Sequence, residues 1–210
     1  MVKEVIIYIE GDTKQKGKGN AITLRQGFRE FFQTLAEDIK VPIDLKLLGS
    51  REIAIKIFLS ELNFFPESFS ALLVDAEGEI DEKETPKTFL QKISAKFDFS
   101  NVDEEQCHLM VQLMESWFLA DKEKLAEFYG KGFNINSLPK HTNVEKIPKS
   151  DVESGLKNAV RGTSKKEYKK GEHTGEILRI IDSNKVRSAA PHCERLFAVI
   201  IDKIANEVKL

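Results

Sequence analysis

Four short apolar runs recur at intervals through the first half of this chain, and segments with helical periodicity separate them. Val2–Ile9, Ile43–Leu48, Phe69–Val74 and Cys107–Leu113 have strand length, and Val2–Ile9 is β-branched and apolar enough for a strand buried on both faces. Between them, Leu24, Phe28, Phe31, Phe32 and Leu35 make one apolar helical stripe. Ser50 stands where it would cap a second helix, whose Ile53, Ile57, Phe58 and Leu62 share a face. Thr85-Pro86 reads as an N-cap followed by proline at the first helical position, ahead of Phe89, Leu90, Ile93 and Phe97. A fourth helix begins near Glu115 and carries Phe118, Leu119, Leu125 and Phe128. Strands alternating with helices predict an α/β fold: a mainly parallel sheet with helices on both faces and right-handed crossovers.

After Tyr129 the texture changes, as Gly130, Gly132, Pro139 and Pro148 break a polar stretch with little strand signal. The expected organisation is an α/β domain over 1–130 and a C-terminal helical extension over 131–210 packed on it. The extension's helices are expected at Ser150–Val160, Gly175–Ile181 and Pro191–Val208.

With 32 Lys and Arg against 34 Asp and Glu in 210 residues, 41% of them hydrophobic, the chain is neither a disordered polyelectrolyte nor a histone-like binder. No signal-peptide pattern and no apolar run of about 18 residues is present, so the expectation is a cytoplasmic protein without a membrane partner. Cys107 and Cys193 are far apart and outside any CxxC or Cys/His spacing, and are expected as buried thiols. The scattered histidines support no zinc site, and no G-x-S-x-G supports a serine hydrolase.

Three of the four runs end on carboxylates: Glu10 after the first, Asp75 and Glu77 after the third, Glu115 after the fourth. Singly, each has a plain explanation, since charged residues often stand where a strand leaves the core, and Glu115 suits the first turn of a helix. Glu79, Asp81, Glu82 and Glu84 also give the loop after Glu77 a solvated, acidic character. Parallel pairing would bring all four acids to one carboxyl edge, where open α/β sheets place their ligands. Oxygen donors gathered there suit magnesium, which binds through one or two carboxylates and keeps several waters.

Gly11 to Asn20 is a glycine- and lysine-rich loop between strand and helix, yet it is no phosphate-binding P-loop. Five residues separate Gly11 from Gly17 where that motif has four, and Gly19 replaces its Ser/Thr. Lys14, Lys16, Lys18 and Arg25 are candidates for contacting nucleic-acid phosphates, with a solvated loop as the alternative. A second basic tract, Arg161–Lys170, surrounds Tyr168 and would ordinarily be a solvated face. Trp117 is expected in the core or at its rim.

Tyr8-Ile9-Glu10-Gly11-Asp12-Thr13, Leu73-Val74-Asp75-Ala76-Glu77 and the stretch from Met110 to Asp121, with Met114-Glu115-Ser116-Trp117-Phe118-Leu119-Ala120-Asp121 its most specific part, resemble the bacterial family called domain of unknown function 4276. Lys185-Val186-Arg187-Ser188, Pro191 and Arg195-Leu196 extend the likeness over nearly the whole chain. That family looks like a variant of the Toprim fold of topoisomerases, primases and overcoming-lysogenization-defect nucleases. The resemblance implies that Glu10 corresponds to the Toprim glutamate and Asp75 with Glu77 to its acidic pair, which hold magnesium during phosphodiester chemistry. Glu77 stands where an aspartate is usual, and Lys14 where relatives often carry a second acid. The resemblance also implies an ATPase partner and a setting in anti-phage defence.

The expected function is therefore a nuclease dependent on Mg2+ (or Mn2+), with Glu10, Asp75 and Glu77 organising the metal and Glu115 supporting them. Glu10 as general base is an open alternative. A non-catalytic module that binds nucleic acid or protein is the main rival, and metal-dependent phosphotransfer on a small molecule a third.

Overall fold

The computed structural model describes residues 2–11 and 18–207, with the side chains at 18–20 and 207 left aside. Strands β1 (Glu4–Ile9), β2 (Ile43–Leu47), β3 (Ser68–Asp75) and β4 (Cys107–Met110) form one sheet. All its pairings are parallel, in the order β2-β1-β3-β4. The alternation of side chains along each strand divides the interior into two cores. Val5, Ile7 and Ile9 of β1 join Leu45, Leu73 and Met110 on one face, while Ile6 and Tyr8 join Leu72, Val74 and Leu109 on the other.

From β1 the chain crosses to β2 through α1 (Lys18–Phe31) and α2 (Gln33–Ile39). It then turns back past β1, through α3 (Arg51–Glu61) to β3 and through α4 (Pro86–Ile93) to β4. Right-handed crossovers put connections that run in opposite directions on opposite faces. Phe28, Phe31 and Leu35 accordingly pack on the Ile7 side, and Ile55, Phe58 and Leu90 on the Tyr8 side. The start of α4 follows the sequence signal: the Thr85 hydroxyl accepts from the Thr88 N–H at 3.2 Å, and Pro86 opens the helix.

The stripe from Leu24 to Leu35, expected as one helix, is two. Phe32 leaves helical geometry at φ −89° and ψ 7°, and α2 restarts at Gln33. The fourth strand ends at Met110 rather than Leu113. Val111, Gln112 and Leu113 stay buried but leave the ladder, so Glu115 opens the next helix rather than ending the strand. The helix expected from Glu115 is likewise two pieces, α5 (Glu115–Phe118) and α6 (Lys122–Tyr129).

The remaining helices are α7 (Lys149–Val160), α8 (Thr174–Leu178, shorter than expected), α9 (Ser183–Ala189) and α10 (Pro191–Glu207). Their Val152, Leu156, Ile177, Leu196, Phe197 and Ile200 belong to the same apolar cluster as Val5, Ile7 and Phe31, so residues on either side of position 130 share a core. Trp117 is fully buried and stacks on Phe31 with centroids 4.9 Å apart. Arg195 of α10 reaches the sheet, donating to Cys107 O at 2.9 Å and to His108 Nδ1 at 3.1 Å. Burial, and then Arg195, push the His108 imidazole down to about 3, so it is neutral at ordinary pH. Both cysteines are free and buried, as expected. No helix among the described residues is long and apolar enough to cross a membrane.

Candidate active site at the carboxyl edge

The connections leaving β1 and β3 run to opposite sides of the sheet, which opens a crevice beyond their carboxyl ends. Glu10 is the residue after β1, and Asp75 is the last of β3. The Asp75 N–H donates to Glu10 Oε2 at 3.1 Å, and Arg51 Nε lies 3.6 Å from the same oxygen. Arg51 is the first residue of α3, so the Glu10 carboxylate faces the start of a helix, where the backbone dipole favours negative charge. Burial nonetheless raises the Glu10 carboxyl above its ordinary range, against the opposing pull of Arg51 and the Asp75 N–H.

Asp75 is 7% exposed, and its Oδ1 accepts from the Met114 N–H at 2.8 Å. Its carboxyl lies well above the usual carboxylate range, first because it is buried and then because Glu115 and Glu10 stand near it. Glu115 is 2% exposed. Its Oε1 accepts from the Tyr168 hydroxyl at 2.8 Å and lies 3.3 Å from Lys170 Nζ, whereas its Oε2 is buried with no hydrogen-bond partner among the described residues. Tyr168 also sits 2.7 Å from Thr174 Oγ1, which ties the basic tract to α8. Burial alone would lower the Lys170 ammonium, but Glu115, Asp75 and Glu77 hold it above its ordinary value.

Glu77 has φ +64°, the left-handed turn by which the chain leaves β3, and it pairs with Lys149 at the start of α7. Hydrogen bonding to Glu77 raises the Lys149 ammonium. A cleft of ≈ 380 Å³ lies over these groups, lined among others by Glu10, Asp75, Glu77, Lys170 and Thr174. A roomier groove of ≈ 430 Å³ lies elsewhere, between α1 and β2, and none of these acids lines it.

The fold thus gathers Glu10, Asp75 and Glu77 around one cleft, with Glu115 buried against Asp75. Arg25 is placed apart, in the groove beside β2. Lys14 and Lys16, and the side chain of Lys18, lie outside the described residues. Residues that the sequence did not single out complete the site: Arg51 beside Glu10, Lys149 beside Glu77, Tyr168 and Lys170 on Glu115, and Thr174 behind Tyr168. Tyr168 and Lys170 carried one signal, an aromatic inside a basic tract, and the solvated face expected for that tract holds for only part of it. Lys165 lies 4.6 Å over the Phe128 ring and Lys169 pairs with Glu172, while Lys170 turns to the acids.

Among the described residues no group of three His, Cys, Asp or Glu side chains is close enough to hold a metal ion by itself. The donors on hand are hard carboxylate oxygens, and a cation held by one or two of them plus water is the magnesium pattern. Glu115 Oε2, buried and without a hydrogen-bond partner among the described residues, and the raised Asp75 carboxyl both leave negative charge here incompletely balanced, which fits a cationic ligand.

A family model described as domain of unknown function (DUF4276) matches residues 9–201. No curated protein and no solved structure matches the chain.

Proposed function

The chain belongs to the family described as domain of unknown function (DUF4276), and from the carboxylate edge that its fold builds we propose that it is a Toprim-like, metal-dependent phosphodiesterase acting on nucleic acid. One observation carries the reading: at the switch point of a parallel sheet Asp75 is buried, with Glu10 and Glu115 near it, so that burial first and the two neighbouring acids second disfavour its charge. Carboxyls shifted strongly by burial and by like charge in a cleft cluster at functional sites.

Glu10 and Asp75 would hold Mg2+ or Mn2+ with water completing the shell, and Glu77 would join once released from Lys149. When bound, the metal would activate a water and neutralise charge developing on the phosphate. The protein's own groups supply the rest. Lys170, the lysine set among these acids, would contact a phosphate oxygen entering the cleft. Tyr168 fixes the orientation of Glu115 by donating to Oε1. Arg51 and the helix it opens favour the ionised form of Glu10 that metal binding or proton abstraction requires. Lys14, Lys16 and Lys18 belong to the proposal as backbone contacts. The ATPase partner and anti-phage setting rest on the family resemblance alone.

The test is cleavage of labelled single- and double-stranded DNA and RNA with magnesium or manganese. Glu10→Gln and Asp75→Asn, each checked for native circular dichroism, should abolish it; cleavage unchanged in both variants would sink the assignment.

The ion pairs Lys149–Glu77 and Lys170–Glu115 favour a second reading, because they already neutralise two of the four acids from within. On this reading the protein binds nucleic acid or a protein partner without cutting. Salt-sensitive nucleic-acid binding that survives Asp75→Asn, with no turnover under any divalent metal, would select it.

A further inference from the structure

Edge strand β2 turns a row of backbone groups away from the sheet. The Val5 N–H donates to Pro42 O at 2.9 Å and the Leu48 N–H to Ile9 O at 3.0 Å, so in this parallel register the peptide groups of 42, 44, 46 and 48 face β1. Those of Ile43, Leu45 and Leu47 face outward and have no backbone partner among the described residues. The side chains of the same three residues point to the α1 side. There, with Ile22, Arg25 and Arg29, they line the ≈ 430 Å³ groove, whose lining includes one acid, Asp44, against the two arginines. Ile22 is 59% exposed. Arg25 and Arg29 lie one helical turn apart, both are exposed, and neither forms an ion pair among the described residues.

We propose that this edge takes up an extended, acidic segment of a partner protein as an additional strand beside β2. The outward amides and carbonyls of Ile43, Leu45 and Leu47 would complete a ladder with the segment's backbone, and main-chain pairing of this kind supplies affinity without demanding a particular sequence. Specificity would come from the α1 side: an apolar side chain against Ile22 and Leu47, followed at alternate positions by carboxylates facing Arg25 and Arg29. Two features argue for this occupant. Nucleic acid has no backbone that alternates N–H and C=O at strand spacing, so it would leave the row of amides unused. A second copy pairing antiparallel through β2 would bring its own Arg25 and Arg29 to the same seam, where like charges repel. The groove shares no residue with the acid cleft, so this proposal stands whether or not the cleft is catalytic.

The probe is a capped, fluorescein-labelled heptapeptide, Val-Thr-Glu-Thr-Glu-Thr-Val, whose strand conformation puts both valines and both glutamates on one face. Fluorescence anisotropy should show saturable binding to the full chain, and hydrogen exchange should slow at the amides of 43, 45 and 47. The Glu-to-Gln peptide and the exposed double variant Arg25→Glu/Arg29→Glu should each weaken binding by roughly tenfold. A peptide N-methylated at alternate residues keeps every charge but cannot complete the ladder, and it should not bind. Equal binding of the N-methylated peptide would overturn the proposal, as would no saturable binding at all. Protection of those amides by an oligonucleotide would reassign the edge to nucleic acid. Protection by self-association at higher protein concentration would reassign it to a second copy. Either result overturns the proposal.

Discussion

The backbone N–H of Asp75 donates to the carboxylate of Glu10, 3.1 Å away, and so joins the ends of β1 and β3 where the strand order reverses. The two residues are 65 positions apart in the chain. Their contact makes the crevice acidic, and burial makes Asp75's charge costly, which Lys170 offsets only in part.

That cost gives a pH dependence with a definite sign. Asp75 titrates above its ordinary value in the folded chain, so between the two values the folded form holds a proton that the unfolded form has released. Stability contributed by this group therefore falls as pH rises through that window. Denaturant unfolding in metal-free buffer should show the decline, and Asp75→Asn should flatten it while raising stability at neutral pH by roughly 1 kcal/mol. An Asn variant with an unchanged slope would contradict the account.

Tyr168 donates to a carboxylate that is 2% exposed, and it touches Thr174 as well. Tyr168→Phe keeps the ring but leaves buried polar atoms short of a partner, a loss of about 1–3 kcal/mol in urea unfolding. The same variant should reduce metal-dependent turnover if Glu115 needs its fixed orientation. Full stability would show that the hydroxyl's bonds are replaced by water.

Lys149 and Lys170 should respond differently to removal. The Lys149–Glu77 pair is well exposed on both sides, so Lys149→Ala should change stability by less than about 1 kcal/mol. Lys170 faces buried Glu115, and Lys170→Met should cost about 2 kcal/mol, reduced from a fully buried pair because the lysine itself is half exposed. Magnesium should restore more stability to Lys170→Met than to the parent, as read by thermal unfolding with and without the ion. Equal effects of the two substitutions would place the relevant charge outside the cleft.

Gly27 of α1 and Gly175 of α8 meet backbone to backbone: a Cβ on Gly27 would fall 2.4 Å from Gly175 O. Gly27→Ala should therefore push α8, and with it Thr174 and Tyr168, away from α1 at a cost of about 1–3 kcal/mol. Faster hydrogen exchange at 174–178 with β1 and β3 still protected would be the signature. Unaltered exchange would mean the helices adjust elsewhere.

Much of this was legible along the chain. Strand-length runs alternating with helical stripes pointed to an α/β fold with a parallel sheet, because strands covered by helices on both faces are largely apolar. Glu10, Asp75 and Glu77 were readable as edge acids for the same reason: residues that follow parallel strands share one end of the sheet. The break at Phe32 and the early end of β4 at Met110 were not readable, since apolar side chains such as Val111 and Leu113 stay buried whether or not their backbone remains in the ladder.

What the tertiary structure alone decided is which charges meet. Lys170 looked like any other lysine of a basic tract, and Arg25 like a companion of the lysine loop. The packing of α8 on α1 sends the first into the acid cleft, and the rotation of α1 over β2 sends the second to an open sheet edge. Local pattern reports where a residue enters or leaves the core, because burial has a period of its own. The pairing of charges depends on how distant elements are oriented, and that is set by the shapes of two hydrophobic cores rather than by any spacing in the sequence.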